Sequence, residues 1–577
     1  MKQNTLLKAL PVIALLLVFT TLVFFSGKEN FPLYHEGERT FNGYSYLKYG
    51  NSINHASYPI LTHAIAAVPL LFIDVDYPEN FTYTNPKVFG QEFFFYYGDN
   101  NAKELVFWAR IPFILLGILL GIFVFVWARE IFNYKAGLFA LTLFSFSPLM
   151  IGYTPIVSAD MALATYIFIT TYFFWKFYKE PRPLFLVLCG IFFGLTILTK
   201  LPGIFLLPLF FIIGAIGILT KRPLKKQGSF RTLFLTLFLI TMIGGIVFVT
   251  ANLNEIHPIY YSEDPLYINS DARSEERLEI LIDSIGIEND IMKNSVRFFV
   301  TKVPVPAPHF FESLYSVYSF VNTGDDTNFF GHHYTSEAKG VFYFLIFFLK
   351  TPLSMLLLLV LAVFFARKYY IHDGLRFDVF FLILPLFLYP LQFLLTKVYG
   401  GILYLLPLYP FLFVLLGNVI NYTQMKRKWF KWSVILLTAT YIVVSLLSFP
   451  FYLSFFNSIA GGTENGYNVS LLDFDYYQDL YRFEQYLNEN NISEIKVNFA
   501  YYSSTLKYQD YNYRFINGSE PQTGFIGVNA GALIGVKERN ANDFAWLRQL
   551  TPIARVGTFF IYNVTEEDLV NIQDMEN

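Results

Sequence analysis

The sequence predicts a polytopic α-helical membrane protein with about eleven spanning helices and a small α/β domain after the last of them. Three observations predict it. Hydrophobic residues make up 54% of the 577 residues and charged residues 15%, where a soluble domain carries roughly 25% charge. Mean hydropathy is +0.43. The near-neutral total of −2 divides into −8 over residues 451–577 and +6 over the first 450, an acidic tail behind a basic, apolar body. These numbers exclude a soluble enzyme, a disordered chain and a nucleic-acid binder. The single cysteine, Cys189, sits in an apolar run and excludes a disulfide framework.

Each span needs roughly 20 mostly apolar residues, at ~1.5 Å per residue across a ~30 Å core. The expected spans are Leu10–Phe25, Val106–Trp127, Ala136–Met150, Met161–Trp175, Leu184–Leu198, Leu201–Leu219, Thr232–Thr250, Val341–Phe365, Val379–Leu395, Ile402–Ile420 and Ser433–Leu453. No small-residue cleavage site follows the first, where the chain runs on as Ser26-Gly27-Lys28-Glu29, so it reads as a retained span rather than a signal peptide.

Basic clusters orient the chain. Lys2 and Lys8, Arg129 and Lys135, Lys176 to Arg182, Lys221 to Arg231, Arg367 to Arg376, and Lys426 to Lys431 all fall on one side if the N-terminus is cytoplasmic. The protein is then expected in the cell membrane with its C-terminal domain outside. Tyr58–Ile73 is apolar but holds His63, Pro59 and Pro69, and reads as a helix lying on the outer face. The domains expected are 1–454, with external loops at about 27–105 and 252–340, and 455–577. In the tail, Glu494–Ala500 and Gly524–Val536 read as strands and Tyr477–Glu489 as a helix. Sequons at Asn80, Asn468, Asn491, Asn517 and Asn563 fall in the external parts, at a frequency near chance for an Asn-rich chain.

Charges at a membrane boundary are costly and usually functional. Glu36, Glu38 and Arg39 follow the first span, either as a reactive group or as a charge cluster anchoring the helix end. Asp160 begins the fourth span, as a functional carboxylate or as a helix cap. Lys200 lies in the turn Leu198-Thr199-Lys200-Leu201-Pro202-Gly203; Lys350 lies deeper, before Thr351-Pro352, where the proline is expected to break or kink the helix. Arg110 and Lys350 are phosphate ligands or snorkelling side chains. A carboxylate accepts the proton of an attacking hydroxyl, and cations hold a phosphate as charge grows on it. His332 and His333 are adjacent and point apart on regular structure, so no firm metal site is read. No Walker loop, dinucleotide fingerprint or Gly-x-Ser-x-Gly is present.

A further set of short motifs occurs in order: His35-Glu36, Gly43-Tyr44-Ser45-Tyr46-Leu47, Pro69-Leu70-Leu71, Ala109-Arg110-Ile111-Pro112, Ser147-Pro148, Asp160, Leu198-Thr199-Lys200, Lys350-Thr351-Pro352, Phe456-Asn457, Gly461-Gly462, Asp475-Tyr476-Tyr477-Gln478-Asp479-Leu480 and Phe544-Ala545-Trp546-Leu547. In these the chain resembles, over nearly its whole length, the C-type fold (GT-C) membrane glycosyltransferases of the protein O-mannosyltransferase-like family 39. That family includes dolichyl-phosphate-mannose-protein mannosyltransferase-like enzymes and, more distantly, the lipid A aminoarabinose transferase. The chain departs from the pattern at His35, where relatives carry Asp, and at Leu403 before Tyr404-Leu405-Leu406-Pro407, where relatives often carry Arg.

The resemblance implies an inverting hexosyltransferase, mannose-like in its sugar, acting in protein glycosylation or on the cell envelope. A polyprenyl-phosphate sugar is the donor, and a hydroxyl of a protein, glycan or lipid is the acceptor. Glu36, Glu38 and Asp160 become the catalytic carboxylates; Arg39, Lys200, Arg110 and Lys350 become the donor-phosphate ligands. Glu36 and Asp160 would hold a divalent cation, Mg or Mn, if one is used. The competing readings are a transporter or flippase for a lipid-linked sugar, which would be expected to show repeated halves, and an inactive scaffold of the same fold.

Overall fold

Apolar runs become helices almost throughout, because a backbone without water must satisfy its own N–H and C=O groups. In the computed structural model the described residues are 2–33, 35–50, 59–77, 94–220, 229–253, 256–257, 289–308, 310, 314, 317, 321–324, 327–334, 340–369, 377–394, 396–422, 428–499, 511–535 and 543–576. The chain begins with α1 (Lys2–Lys28), α2 (Glu36–Tyr49) and α3 (Leu61–Ala67), the last continued by a 3-10 turn, Val68–Phe72. Then come α4 (Ala102–Ile131), α5 (Tyr134–Ser145), α6 (Pro148–Tyr153), α7 (Ala159–Lys179), α8 (Pro183–Ile197), α9 (Leu206–Leu219) and α10 (Phe230–Ala251). After β1 (Ile256–His257), α11 (Asp290–Lys302) and the strands β2 (Val305–Pro306), β3 (Thr327–Phe329) and β4 (His332–Tyr334), apolar helices resume. They are α12 (Val341–Lys350), α13 (Leu353–Tyr369), α14 (Phe380–Leu394), α15 (Tyr409–Gly417), α16 (Val419–Tyr422) and α17 (Lys428–Leu447). The tail holds α18 (Gly462–Val469), α19 (Leu480–Glu489), β5 (Ile495–Asn498), β6 (Tyr513–Phe515), β7 (Gly524–Asn529), α20 (Ala530–Ile534), β8 (Ala554–Val556), β9 (Phe559–Val564) and α21 (Glu566–Glu576).

Among the described residues six helices are long and apolar enough to cross a membrane: Leu7–Lys28, Ala102–Ile131, Leu201–Leu219, Phe230–Ala251, Ile402–Tyr422 and Lys428–Leu447. The bent pair α12 and α13 makes a seventh. The remaining expected spans are helical too, but α5, α8 and α14 have 12, 15 and 15 residues, short of the roughly 20 that a bilayer core requires. The expected third span is broken at Ser147-Pro148: Ser147 caps the new helix through Met150 N–H, with Pro148 at its first position. Span eight is not one kinked helix. Its axes turn by 108° at Thr351-Pro352, because proline has no N–H to give and Asn457 takes up the freed carbonyls of Phe348 and Thr351 at 2.5 and 2.9 Å. The second predicted tail strand stops at Asn529, whose side chain caps α20 through Ala532 N–H. His332 and His333 fall on β4 and are both exposed.

The chain forms two compact units, one made of Met1–Gly37, Phe95–Ile156 and Gly324–Asn577, the other of Glu38–Phe94 and Val157–Thr323. They divide the chain differently from the predicted boundary after residue 454. In the first unit α4 packs on α1, α5 and α15, and the tail builds a five-stranded sheet in the order β6-β5-β7-β9-β8. Strand β5 runs parallel to β6 and β7, and β9 runs antiparallel to β7 and β8. Leu480, Phe483 and Leu487 of the amphipathic α19 bury against Val497, Phe499, Phe559 and Ile561, and Phe31, just past α1, enters the same core.

In the second unit α8 packs on α7 and α10. Gly190 and Gly194 allow the close approach: a β-carbon there would stand 2.6 Å from the Ile243 side chain and 2.8 Å from the Gly244 carbonyl. The Gly43-Tyr44-Ser45-Tyr46 motif has a packing reason of the same kind. A β-carbon on Gly43 would lie 1.9 Å from the His63 carbonyl oxygen of α3, Tyr44 is buried, and the Tyr46 hydroxyl donates to the Ala251 carbonyl at 2.5 Å. Gly245 on α10 has open space around it. Gly43→Ala should therefore lower the thermal unfolding temperature in detergent by the equivalent of about 1–3 kcal/mol, the usual cost of overpacking. Gly245→Ala should leave it unchanged or raise it slightly.

Candidate functional site

Three charged clusters gather the residues that the sequence singled out. The first, in the second unit, lies at the start of α7. Ser158 caps that helix: its hydroxyl accepts from Asp160 N–H at 3.1 Å and donates to Asp160 Oδ2 at 2.8 Å. Lys200, extended in the turn after α8, donates to Asp160 Oδ1 at 2.7 Å. Arg39, from the first turn of α2, donates to the Val157 carbonyl at 2.6 Å. Two cations and a carboxylate thus meet at the N-terminus of a 21-residue helix, which carries partial positive charge and unpaired N–H groups. The Lys200 side chain is 26% exposed and that of Asp160 9%, so the cluster reaches the surface of its unit. Glu38, one residue before Arg39, is buried. The cap of α7 is Ser158 rather than Asp160, which stands in the first turn as the partner of Ser158 and Lys200.

The second cluster lies in the first unit. Arg110, in α4, is buried and makes five hydrogen bonds: Nε to Glu36 Oε1 at 3.0 Å, Nη2 to Glu36 Oε2 at 2.5 Å, Nη1 to the carbonyls of Gly27 and Asn30 at 2.9 Å each, and Nη2 to the Phe31 carbonyl at 3.3 Å. A guanidinium has five N–H donors, and every one is engaged inside the chain. Leu33 N–H adds a further bond to Glu36 Oε2 at 2.8 Å. To hold the donor phosphate expected from the sequence, Arg110 would have to abandon a buried carboxylate or three carbonyls. Glu36, 1% exposed, accepts three donors on two oxygens and is held as a structural partner. His35, at the position where relatives carry Asp, is exposed in the turn before α2.

The third cluster surrounds Lys350 at the end of α12. Lys350 is fully buried and donates to the carbonyls of Leu453, at 2.8 Å, and Asp473, and to the Tyr153 hydroxyl at 3.3 Å. An ammonium has three donors, and Lys350 directs all three at groups of its own chain rather than snorkelling to the surface. Asp473 in turn accepts from the Tyr399 hydroxyl, the Ser470 hydroxyl and Ile402 N–H. Sequence reasoning missed Asp473, Arg482 and Ser158. The first two lie in the tail far from the spans, and only the Asp475–Leu480 motif beside them signalled their neighbourhood. In that motif Gln478 bonds Ser454 and the Phe474 carbonyl, Asp479 accepts from Arg482 and Thr558 N–H, and Asp475 accepts from Tyr477 N–H, Asn529 and Gly531 N–H. The motif is a structural junction.

Among the described residues no three His, Cys, Asp or Glu side chains stand close enough to hold a metal ion. Glu36 and Asp160, the expected cation ligands, are each already paired with a cationic side chain. These residues do not fit a divalent cation. The first unit also holds an apolar cavity of about 990 Å3, lined by Phe347, Leu359, Val363, Phe387, Pro390 and Leu412 among others.

The helices and the appended sheet define a multi-pass helical membrane protein with an α/β tail. Residues 102–244, which include Arg110, Asp160 and Lys200, match the family of dolichyl-phosphate-mannose-protein mannosyltransferases. No curated protein sequence matches the chain. Solved structures resemble it at low identity. One is the Archaeoglobus fulgidus oligosaccharyltransferase in its apo form, with a TM-score of 0.45 and 11% identity over 81% of this chain and 55% of that one. A second is ArnT from Cupriavidus metallidurans bound to undecaprenyl phosphate, with a TM-score of 0.43 and 13% identity over 96% and 98% of the two chains. A third is the archaeal oligosaccharyltransferase AglB from Archaeoglobus fulgidus in complex with an inhibitory peptide and a dolichol-phosphate, with a TM-score of 0.44 and 10% identity over 96% and 74%.

Two outcomes follow from the clusters. Arg110→Gln leaves the Glu36 carboxylate buried without its cation and should destabilise the protein by about 3–5 kcal/mol, whereas Glu36→Gln keeps an acceptor for Arg110 and should cost less. Thermal unfolding of the two variants in one detergent compares them. Separately, burial pushes the Asp475 carboxyl up to about 6, against the opposing hydrogen bonds from Tyr477 N–H, Asn529 and Gly531 N–H, from an ordinary value of 3.8. The folded tail therefore holds a proton that the unfolded chain has released, and its stability falls as pH rises from about 4 to about 6, then levels off. The difference in unfolding temperature between the wild type and Asp475→Asn should shrink across that window and be flat above it.

Proposed function

We propose that this protein is a GT-C-type membrane glycosyltransferase that moves a sugar from a polyprenyl-phosphate donor to an acceptor hydroxyl on the outer face of the membrane. The observation that carries the reading is the Arg39, Ser158, Asp160 and Lys200 cluster at the N-terminus of α7. Its cations and helix end suit a phosphate diester. The family match over residues 102–244, which contains Asp160 and Lys200, supports the same reading, as do the undecaprenyl phosphate of ArnT and the dolichol-phosphate of AglB.

In this reading the acceptor oxygen attacks the anomeric carbon as the bond from that carbon to the phosphate oxygen breaks, with inversion. The leaving group is the polyprenyl phosphate, and Lys200 and Arg39 stabilise its growing charge. The acceptor proton passes to a carboxylate. Asp160 suits that role better than Glu36, because each of its oxygens accepts one protein hydrogen bond and retains a lone pair. Glu36 serves as the structural partner of Arg110, and Glu38 is the second candidate base. The acceptor is a protein, a glycan or a lipid, and the sugar is hexose-like.

Membranes carrying the protein, incubated with a labelled polyprenyl-phosphate sugar, test this. Asp160→Asn should lower turnover by roughly 10²–10⁴-fold with the folded amount unchanged. Lys200→Gln should weaken donor use. Glu36→Gln should reduce folded protein more than turnover per folded molecule. The fraction that takes the label identifies the acceptor class. Full turnover in both Asp160→Asn and Glu38→Gln would sink the assignment.

A further inference from the structure

Helix α11 is amphipathic, and its apolar side faces away from its own unit. At 100° per residue, Phe298, Ile291, Ser295, Phe299 and Met292 occupy one arc of roughly 120°, which Lys302 in the last turn also enters. Ile291 is 78% exposed, Met292 58%, Phe298 64% and Phe299 51%, while Val300, on the other side, is buried. Four large apolar side chains exposed together on 13 residues are unlike scattered surface hydrophobics.

The fold fixes where this face lies. Three residues after α11, at most ~10 Å of chain, β2 pairs with β1: Val305 opposite His257 and Pro306 opposite Ile256. Strand β1 itself begins five residues after α10, a helix apolar enough to cross the membrane. Just beyond β2, Ala307 is buried beside Tyr46 and Ile60, and the Phe310 ring packs on Phe248 in the last turn of α10 at 4.9 Å between centroids. The C-terminal end of α11 is thus held close to the point where α10 leaves the membrane. The exposed apolar stripe of α10, with Ile246 and Val249, continues past the helix end through Leu253, 56% exposed, and Ile256, 50% exposed. The helix carries Lys293, Arg297 and Lys302 against a single acidic residue, Asp290.

We propose that α11 is an interfacial helix that lies in the headgroup layer of the leaflet at which α10 ends. Ile291, Met292, Phe298 and Phe299 sit at the boundary between headgroups and acyl chains, and the basic residues stand among lipid phosphates. The occupant is the lipid surface itself. Continuity with the lipid-facing side of α10 and the net positive charge argue for it over a protein partner. The proposal is independent of any transfer reaction.

The full chain contains one cysteine, Cys189, and it is buried. A cysteine introduced at 291, 297 or 298 therefore provides one reactive thiol, and these positions are all exposed. Ile291→Cys, Arg297→Cys and Phe298→Cys would each carry a nitroxide in nanodiscs of phosphatidylcholine, with and without phosphatidylglycerol. Molecular oxygen, which concentrates in the bilayer, should relax the labels at 291 and 298 more strongly than a water-soluble nickel chelate does, with the order reversed at 297. Stronger relaxation by the nickel chelate at 298 in both nanodiscs would overturn the proposal. So would protection from both reagents together with spin–spin broadening, which marks an interface between copies of this chain.

Discussion

The Arg110–Glu36 pair, with the three carbonyls that share the guanidinium, is the interaction on which the first unit depends. It fastens the segment after α1 to the side of α4 with five hydrogen bonds from one side chain. That segment then carries the tail. Phe31 N–H donates to the Gln478 carbonyl, the Phe31 ring enters the sheet core, and Arg482 donates to the Ser26 carbonyl and the Asn30 side chain. A buried charge is costly unless it is paired and all its donors are met. Arg110 meets that condition inside the chain, which is the physical reason it can act as a strut.

Lys350 follows the same rule in the same unit. The break at Thr351-Pro352 frees carbonyls and turns α12 away from α13, and the ammonium beside the break ties two backbone carbonyls of the juncture between last span and tail to Tyr153. Asp473 reinforces that juncture through Tyr399, Ser470 and Ile402. Both struts consume cations that look functional in the sequence. The cluster at α7 differs because Lys200 is partly exposed and Asp160 keeps acceptor capacity.

Much of the fold was legible because apolar runs have few options in lipid. Helices formed at all eleven predicted segments, and the tail strands and α19 followed their alternation. The length of each helix was less legible. The third segment breaks at Ser147-Pro148 and the eighth turns sharply at Pro352, since capping and carbonyl satisfaction there depend on Asn457 and other residues distant in sequence. Of the candidate site, the sequence placed all the carboxylates and cations together at one boundary, while the structure divides them among three clusters, and Ser158 passed unnoticed as an ordinary cap.

The sequence by itself determined that this is an apolar, multi-helical membrane chain with an acidic α/β tail, because composition and hydrophobic runs dictate which segments leave water. It also marked Glu36, Arg39, Arg110, Asp160, Lys200 and Lys350 as charges that had to be explained, but not Asp473 or Arg482. Only the tertiary structure decided what each charge does, because hydrogen-bond donors are finite in number and their partners come from residues far along the chain. Arg110 and Lys350 spend theirs on buried oxygens of the first unit, whereas Lys200 stands partly exposed beside Asp160.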